Sequence, residues 1–533
     1  MNKVATYLNE HLVGEVLVNY REVAKNSTDH SPLLIQPEMV AHVANTSDIR
    51  KIMRFCWQLA EKGHALSITA RGVGTSSTAG SIGGGIIISP VKHMNRIVGI
   101  DPKQRLIHAQ SGAMVSGVNM TLSTHSGMRL PPISSTQDDG TIGGAVASGA
   151  AGFMASRYGV FGDSVKQLEV VLANGDVLQT SRLTKRDVNS KKGLHTFEGE
   201  IYRQVDNLIS DNQELIDSLE TACSSGYSAI AKVRKKDGSM DLSPLFISSE
   251  GTLGVISEAI LQSQFARRNL SVVISSFESF GDAHAAVDVV VAAKPAASGL
   301  VDGRIVKRAA KQGKVKDFAP SEAFGGGLTI AVIDDFSERN RQRIAKKLEK
   351  DLSKATGHVK TTILHIADAE ISEISSILSL AKNPADAQEI VPGAFDGLWL
   401  PGVQLSSFFA EIAKLEKEFS VELPAFVDIS RGFVDLLPVF DMKKVTDRQK
   451  MIRVLNSVAE IVVKHSGSLS GHDGEGRLKS LVVYSTMNEA EATLYQQVKD
   501  IFDPHGILNP GVKQKNAPKD VASQLNAWCR SVV

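Results

Sequence analysis

Ile49, Ile52, Met53, Cys56 and Leu59 recur at spacings of three and four through SDIRKIMRFCWQLAEK (47–62), with charged and polar residues between them. That period lines one face of a helix with apolar side chains. Ser47 stands where an N-cap is wanted and Gly63 where the helix should stop. The pattern then shortens. ALSITA (65–70) reads as a strand, followed by the glycine-rich RGVGTSSTAGSIGGG and a second β-branched run, GIIISPV. IHAQSGAM, LEVVLANGDVLQT and GTLGVISEAILQSQ read as further short strands with turns. Residues 1–268 are therefore expected to form one mixed α+β unit.

From residue 269 the texture changes. LSVVISSF reads as a strand, FGDAHAAVDVVVAAK as a helix, GGLTIAVID as a strand and FSERNRQRIAKKLEKDLSKATG as a charged helix. Strand and helix alternating over this stretch predict a compact α+β layer domain. Pro and Gly mark 381–405 as a connecting segment. A helix near 404–419 and the segment LPAFVDISRGFVDLLPVFDM follow. A long helix over 446–465 then leads into SGSLSGHDGEGRLKS (466–480), where His472, Asp473, Glu475 and Arg477 crowd a glycine-rich loop. No internal repeat or low-complexity tract interrupts the chain.

Composition narrows the class. The 533 residues suggest two or three domains, and 42% are apolar, enough for ordinary packed cores. The 59 basic and 58 acidic residues leave a formal charge of +1, which argues against a nucleic-acid-coating protein. The basic runs RKK (234–236) and KRAAKQGKVK (307–316) read as solvated faces. Cys56, Cys223 and Cys529 are far apart in the sequence, so neither a disulfide framework nor an iron–sulfur cluster is expected, and a reducing cytoplasm suits them. The N-terminus carries no signal-peptide pattern and no apolar run approaches membrane-spanning length. Peripheral attachment to a membrane partner stays open.

Three glycine-rich segments bear on chemistry. Arg71-Gly72-Val73-Gly74-Thr75-Ser76-Ser77 lies between two predicted strands. Consecutive glycines let backbone N–H groups point into one concavity, which suits a pyrophosphate. It is neither a Walker loop nor a Rossmann fingerprint, because no Gly-Lys-Ser/Thr follows and position 77 is serine. TIGGAVASGAAGFMASRYG (141–159) allows close approach of a flat ligand or of another backbone, and SEGTLGVIS (249–257) sets Gly251 and Gly254 beside a strand. Each alone is ambiguous.

In this order and spacing, RGVGTSS (71–77), TIGG (141–144), RYG (157–159), VLANGDV (171–177), SEGTLGVI (249–256) and FDPHGILNPGVK (502–513) resemble the FAD-linked oxidoreductases of the vanillyl-alcohol oxidase / p-cresol methylhydroxylase (PCMH) type. The resemblance extends to their D-lactate and D-2-hydroxyglutarate dehydrogenase branch. It covers nearly the whole chain, including the opening GEVLVNYRE…STDHSPLLIQP. It implies an α+β fold: a two-subdomain FAD-binding domain over 1–268, a ferredoxin-like cap over 269–465 that covers the substrate, and a segment 466–533 that returns to the flavin domain. It implies that Arg71, Gly72, Val73, Gly74, Thr75 and Ser76 hold the FAD pyrophosphate. Ser135, Thr141, Gly143, Gly144, Ser148, Gly152 and Tyr158 would line the flavin and its ribityl chain. Gly254, Val255, Ile256 and Asn509 would complete the site. No histidine lies within 71–77, so the FAD is expected to be non-covalent.

The active site departs from that family. Its 2-hydroxy-acid dehydrogenases carry GHxGDGNxH and GGSxSxEHGxG segments whose histidines and glutamate bind a divalent metal or the substrate. Here the first aligns with FVDISRGFVD (426–435), where both histidine positions are aspartates, Asp428 and Asp435. In the second, His472 stands at the glutamate position and Asp473 at the histidine position. A hairpin over ISRGFV would set Asp428 and Asp435 directly opposite, about 5 Å apart between Cβ atoms. Three readings stay open: a metal site of Asp428, Asp435, His472 and Asp473 for Mn²⁺, Mg²⁺, Ca²⁺, Zn²⁺ or Fe²⁺, a polar cluster satisfied by Arg431 and Arg477, or unrelated surface positions. Where relatives place an arginine for the substrate carboxylate, 374–386 offers only Lys382, so Arg431 or Arg477 is the candidate replacement.

The leading expectation is oxidation of a D-2-hydroxy acid by hydride transfer to flavin N5, with His472 as base and Asp473, Arg477 and Arg431 beside it. Electrons would pass to a quinone, an electron-transfer protein or an iron–sulfur subunit. Oxidation of a sugar, polyol or phenolic alcohol remains an alternative, as does a non-catalytic flavin-binding subunit. A homodimer stays open.

Overall fold

The computed structural model describes residues 3–133, 140–219, 223–266, 269–311, 326–367 and 389–525. The apolar stripe at 47–62 forms the helix Thr46–Glu61, with Ile49, Ile52, Met53 and Cys56 buried. Its N-cap is Asn45 and not Ser47. The extended Asn45 backbone lets its side chain accept from the Asp48 amide. Gly63 ends the helix with φ +82°. The buried stripe shares a core with a four-stranded sheet. Its strands run in the order Glu15–Leu17, Met39–His42, Ile86–Ser89, Ile68–Ala70. Ile86–Ser89 is parallel to both of its neighbours and entirely buried, as a strand covered on both faces should be.

A second sheet is antiparallel, in the order Ile97–Asp101, Leu106–Gln110, Val255–Gln262, Val165–Val171, Val177–Gln179. The two sheets and their helices flank the glycine-rich segments.

The cap is a seven-stranded antiparallel sheet. Its first four strands in chain order are Asn269–Phe277, Ala297–Asp302, Gly327–Ile333 and His358–Ala367. In space they lie fourth, first, third, second, the ferredoxin-like arrangement expected. Ala425–Asp428, Phe433–Leu436 and Leu398–Trp399 extend it beyond Ala297–Asp302. FGDAHAAVDVVVAAK is not one helix: Phe280–Ala285 and Val287–Ala292 meet at Ala286, where a run of β-branched valines begins.

The C-terminal part ties the two halves together. Leu478, Leu481 and Val482 of Gly476–Thr486 pack with Val454 and Leu455 of Val445–Lys464. The next helix, Glu489–Phe502, crosses over and buries Leu494, Tyr495, Val498 and Phe502 with Ile201, Tyr202 and Val205. Finally the Ile68 amide donates to the Ile507 carbonyl and the Asn509 amide to the Ile68 carbonyl, which fixes the chain beside the first sheet.

Candidate active site

A cavity of about 720 Å³ runs between the two sheets of the first half and reaches the cap. Arg71, Gly72, Val73, Gly74, Thr75 and Ser76 line it, as do Thr141, Gly143, Gly144, Ser148, Gly254, Val255 and Ile256. These segments pack so closely that side chains are excluded. A Cβ on Gly72 would lie 2.5 Å from Thr141 Oγ1, and one on Gly143 2.7 Å from Ser111 Cβ. Thr141 caps the helix Ile142–Ser148 by accepting from the Gly144 amide. Ser135 and Lys382 lie outside the described residues. Gly152, Tyr158 and Asn509, also expected at the flavin, lie outside the cavity wall. Asn509 is buried behind it and donates to the carbonyls of Gly80 and Glu250.

Arg71 and Arg477 are both engaged with protein acceptors. Arg71 donates to the carbonyls of Ser81 and Thr28. Arg477 donates to the carbonyls of Ala79 and Pro510 and to Asn509 Oδ1. Burial pushes the Arg477 guanidinium down to about 10. The catalytic role expected for Arg477 is thus replaced by an anchoring one.

Sequence reasoning did not single out Glu250, which also lines the cavity. Its backbone is left-handed, φ +53°, and its carboxylate accepts from the amides of Glu475 (2.8 Å) and Gly476 (2.9 Å). Burial raises its pKa. One side chain thereby joins the cavity wall to the turn that carries His472 and Asp473. An acidic residue inside the glycine-rich SEGTLG was the signal available in the sequence.

At the cap end, Asp473 lines the cavity and its Oδ2 lies 2.9 Å from His472 Nδ1. A carboxylate is an acceptor only, so Nδ1 carries the proton and Nε2 is left as the basic nitrogen. Nε2 is 4.0 Å from Asp435 Oδ1, which accepts from the Gly397 amide. The His472 ring stands edge-on to Phe433, centroids 5.1 Å apart. Asp428 and Asp435 are not opposite each other. The hairpin closes over four residues, pairing Asp428 with Phe433 and Asp435 with Phe426, so the two aspartates are diagonal on one face. Asp428 Oδ2 is taken by Arg431 Nε at 2.8 Å. The expected metal set of Asp428, Asp435, His472 and Asp473 is therefore corrected: among the described residues no group of three or more His, Cys, Asp or Glu is arranged to hold a metal ion. The arginine-paired reading holds for Asp428. Burial raises the Asp428 pKa even so, against the pull of Arg431.

The profile of an FAD binding domain matches residues 37–181, and that of the C-terminal domain of FAD linked oxidases matches 266–512. The chain thus carries an FAD binding domain and the C-terminal domain of the FAD linked oxidases. It is similar to the D-2-hydroxyglutarate dehydrogenase of Pseudomonas putida KT2440, 25% identical over 522 residues, 94% of this chain and 51% of that one. The enzyme of that name from Escherichia coli K12 is 26% identical over 522 residues, 93% of this chain and 50% of its own. The chain thus spans about half the length of these curated relatives. Glycolate oxidase subunit GlcD of Bacillus subtilis 168 is 23% identical over 501 residues, 92% of this chain and 91% of that one. Among solved structures, 4-ethylphenol oxidase from Gulosibacter chungangensis shares the fold, with a TM-score of 0.67 at 15% identity over 97% of each chain. Among the described residues no helix is long and apolar enough to cross a membrane.

Proposed function

We propose that this chain is an FAD-dependent dehydrogenase that oxidises a D-2-hydroxy acid to the 2-keto acid. The observation that carries the reading is the hydrogen-bonded His472–Asp473 pair, whose Asp473 lines the cap end of a glycine-walled cavity. Relatives named D-2-hydroxyglutarate dehydrogenase, D-lactate dehydrogenase and glycolate oxidase subunit support the substrate class. The cavity's volume falls in the upper part of the roughly 300–1,000 Å³ typical of ligand sites, and walls without side chains at Gly72 and Gly143 suit a cofactor held by backbone.

The residues 71–76, 141–148 and 254–256 are those that hold FAD, without a covalent bond to the 71–77 loop. When bound, FAD supplies the acceptor for the hydride that leaves the substrate carbon. His472 Nε2 takes the hydroxyl proton, and Asp473 fixes the tautomer and steadies the imidazolium. Of the two arginines considered for the carboxylate, Arg477 is engaged with protein acceptors, whereas Arg431 Nη1 is buried without a partner. Arg431 is the substrate's carboxylate ligand. A quinone or protein acceptor would take the electrons from the reduced cofactor. Anaerobic mixing with a panel of D-2-hydroxy acids tests the reading: at least one should bleach the flavin absorbance, and His472→Ala should stop it. Bleaching by none, or bleaching untouched by His472→Ala, overturns it.

A further inference from the structure

The Asp428–Arg431 pair leaves more unmatched than a structural salt bridge should. Asp428 is 2% exposed. Its Oδ2 accepts from Arg431 Nε, and Arg431 Nη2 donates to the Gly152 carbonyl at 3.4 Å. Asp428 Oδ1 and Arg431 Nη1 are both buried and both lack a hydrogen-bond partner. Buried unpaired groups of this kind are costly and rare. Here an acceptor and a donor occur together in one ion pair.

Their position says what they serve. Asp428 lies on the same sheet face as Phe433 and Asp435. The Phe433 ring lies 4.8 Å from Arg431 Cζ and 5.1 Å from the His472 ring. The ion pair and the imidazole thus flank one aromatic ring, and Asp473, hydrogen-bonded to that imidazole, lines the cavity. Arg431 also touches Gly152, where a Cβ would meet the Ile133 carbonyl, and Ile133 lines the cavity.

A simple 2-hydroxy acid has two polar groups. Its carboxylate answers Arg431 Nη1 and its hydroxyl answers His472. Asp428 Oδ1 remains, and an ionised carboxylate is satisfied only by a donor. A further hydroxyl supplies one. A second carboxylate does not: it would face Asp428, Asp435 and Asp473 together, and like charges at such range repel. Building on the proposed activity, we propose that this site selects a polyhydroxy acid, a 2-hydroxy acid with another hydroxyl beyond the reacting carbon, and that Asp428 accepts a hydrogen bond from that hydroxyl.

D-Lactate, D-glycerate and D-2-hydroxyglutarate test this with the FAD-loaded full chain and an artificial acceptor. D-Glycerate should exceed D-lactate in kcat/KM by about tenfold or more, the factor expected when a buried acceptor gains its donor. D-2-hydroxyglutarate should fall below D-lactate. In Asp428→Ala the glycerate-to-lactate ratio should drop to near one. Equal or better use of D-lactate, or preference for D-2-hydroxyglutarate, overturns the proposal while leaving the dehydrogenase reading intact. Failure of all three acids to reduce the flavin overturns both. If Asp428→Ala does not fold, the wild-type ratios decide alone.

Discussion

The wall around 71–76 and 141–148 lines the cavity, the crevice between Asp428 and His472 meets it only at Asp473, and the two are built on opposite principles. The first is made largely of backbone, with its one charged side chain, Arg71, turned onto the carbonyls of Ser81 and Thr28. Glycine stands where a side chain would strike Thr141 or Ser111. The second is charged and made of side chains on a sheet face and a loop, three aspartates with one arginine and one histidine. A wall of backbone recognises what every member of the family binds. A crevice of side chains can be rewritten residue by residue without disturbing the fold. The difference locates where this chain has room to depart from its relatives.

The sharpest way to separate the two is to remove chemistry without touching the wall. His472→Ala should lower kcat by about 10²–10⁴-fold, the usual contribution of a positioned base, with flavin content unchanged. The reciprocal experiment fills the wall. Gly143→Val places its side chain against Ser111, and overpacking of about 1–3 kcal/mol should weaken FAD about 5- to 150-fold, read by flavin fluorescence titration. A Gly143→Val protein that keeps its FAD and loses turnover would dissolve the comparison.

The same contrast explains what the sequence disclosed. Glycine clusters between β-branched runs announce a backbone cradle, because few other residues tolerate such approach. They located 71–76, 143–144 and 254–256 at the cavity. The alternation of strands and helices predicted the α+β layer of the cap, and the family resemblance implied its ferredoxin-like order. Side-chain partnerships are different. Whether Arg431 or Arg477 is available depends on acceptors contributed by Ala79, Asn509 and Pro510, residues remote in sequence. Whether Asp428 opposes Asp435 depends on the four-residue loop being 429–432 instead of 430–433. Asn45, and not Ser47, caps its helix because the chain is already extended there. Glu250 was hidden for the same reason: its role lies in accepting from amides at 475 and 476, more than 200 positions away.

Glu250 is where the two regions meet, and it offers the next test. In Glu250→Gln one amide N–H of the 475–476 turn meets an NH₂ group in place of an oxygen. The turn should shift, and kcat per bound flavin should fall about tenfold. If Glu250 acts by placing His472, adding Glu250→Gln to His472→Ala should lower the rate no further. Independent, multiplying effects would show that Glu250 serves only the wall.

The smallest effect concerns stability. Burial raises the Asp428 carboxyl above its ordinary value in the folded state. The folded protein then binds more protons than the unfolded chain between the ordinary value of about 3.9 and the raised one, and through that window stability falls as pH rises. Asp428→Asn removes the titration but keeps the shape. Its Tm relative to the native protein should therefore improve as pH climbs above about 4, the ordinary carboxyl value, by about 2 °C or less in a chain of this size. A gap that stays constant with pH would mean that Arg431 fully compensates the buried charge. That outcome would weaken the case that the crevice holds its unpaired oxygen for a substrate, because a compensated carboxylate has less to gain from a ligand hydroxyl.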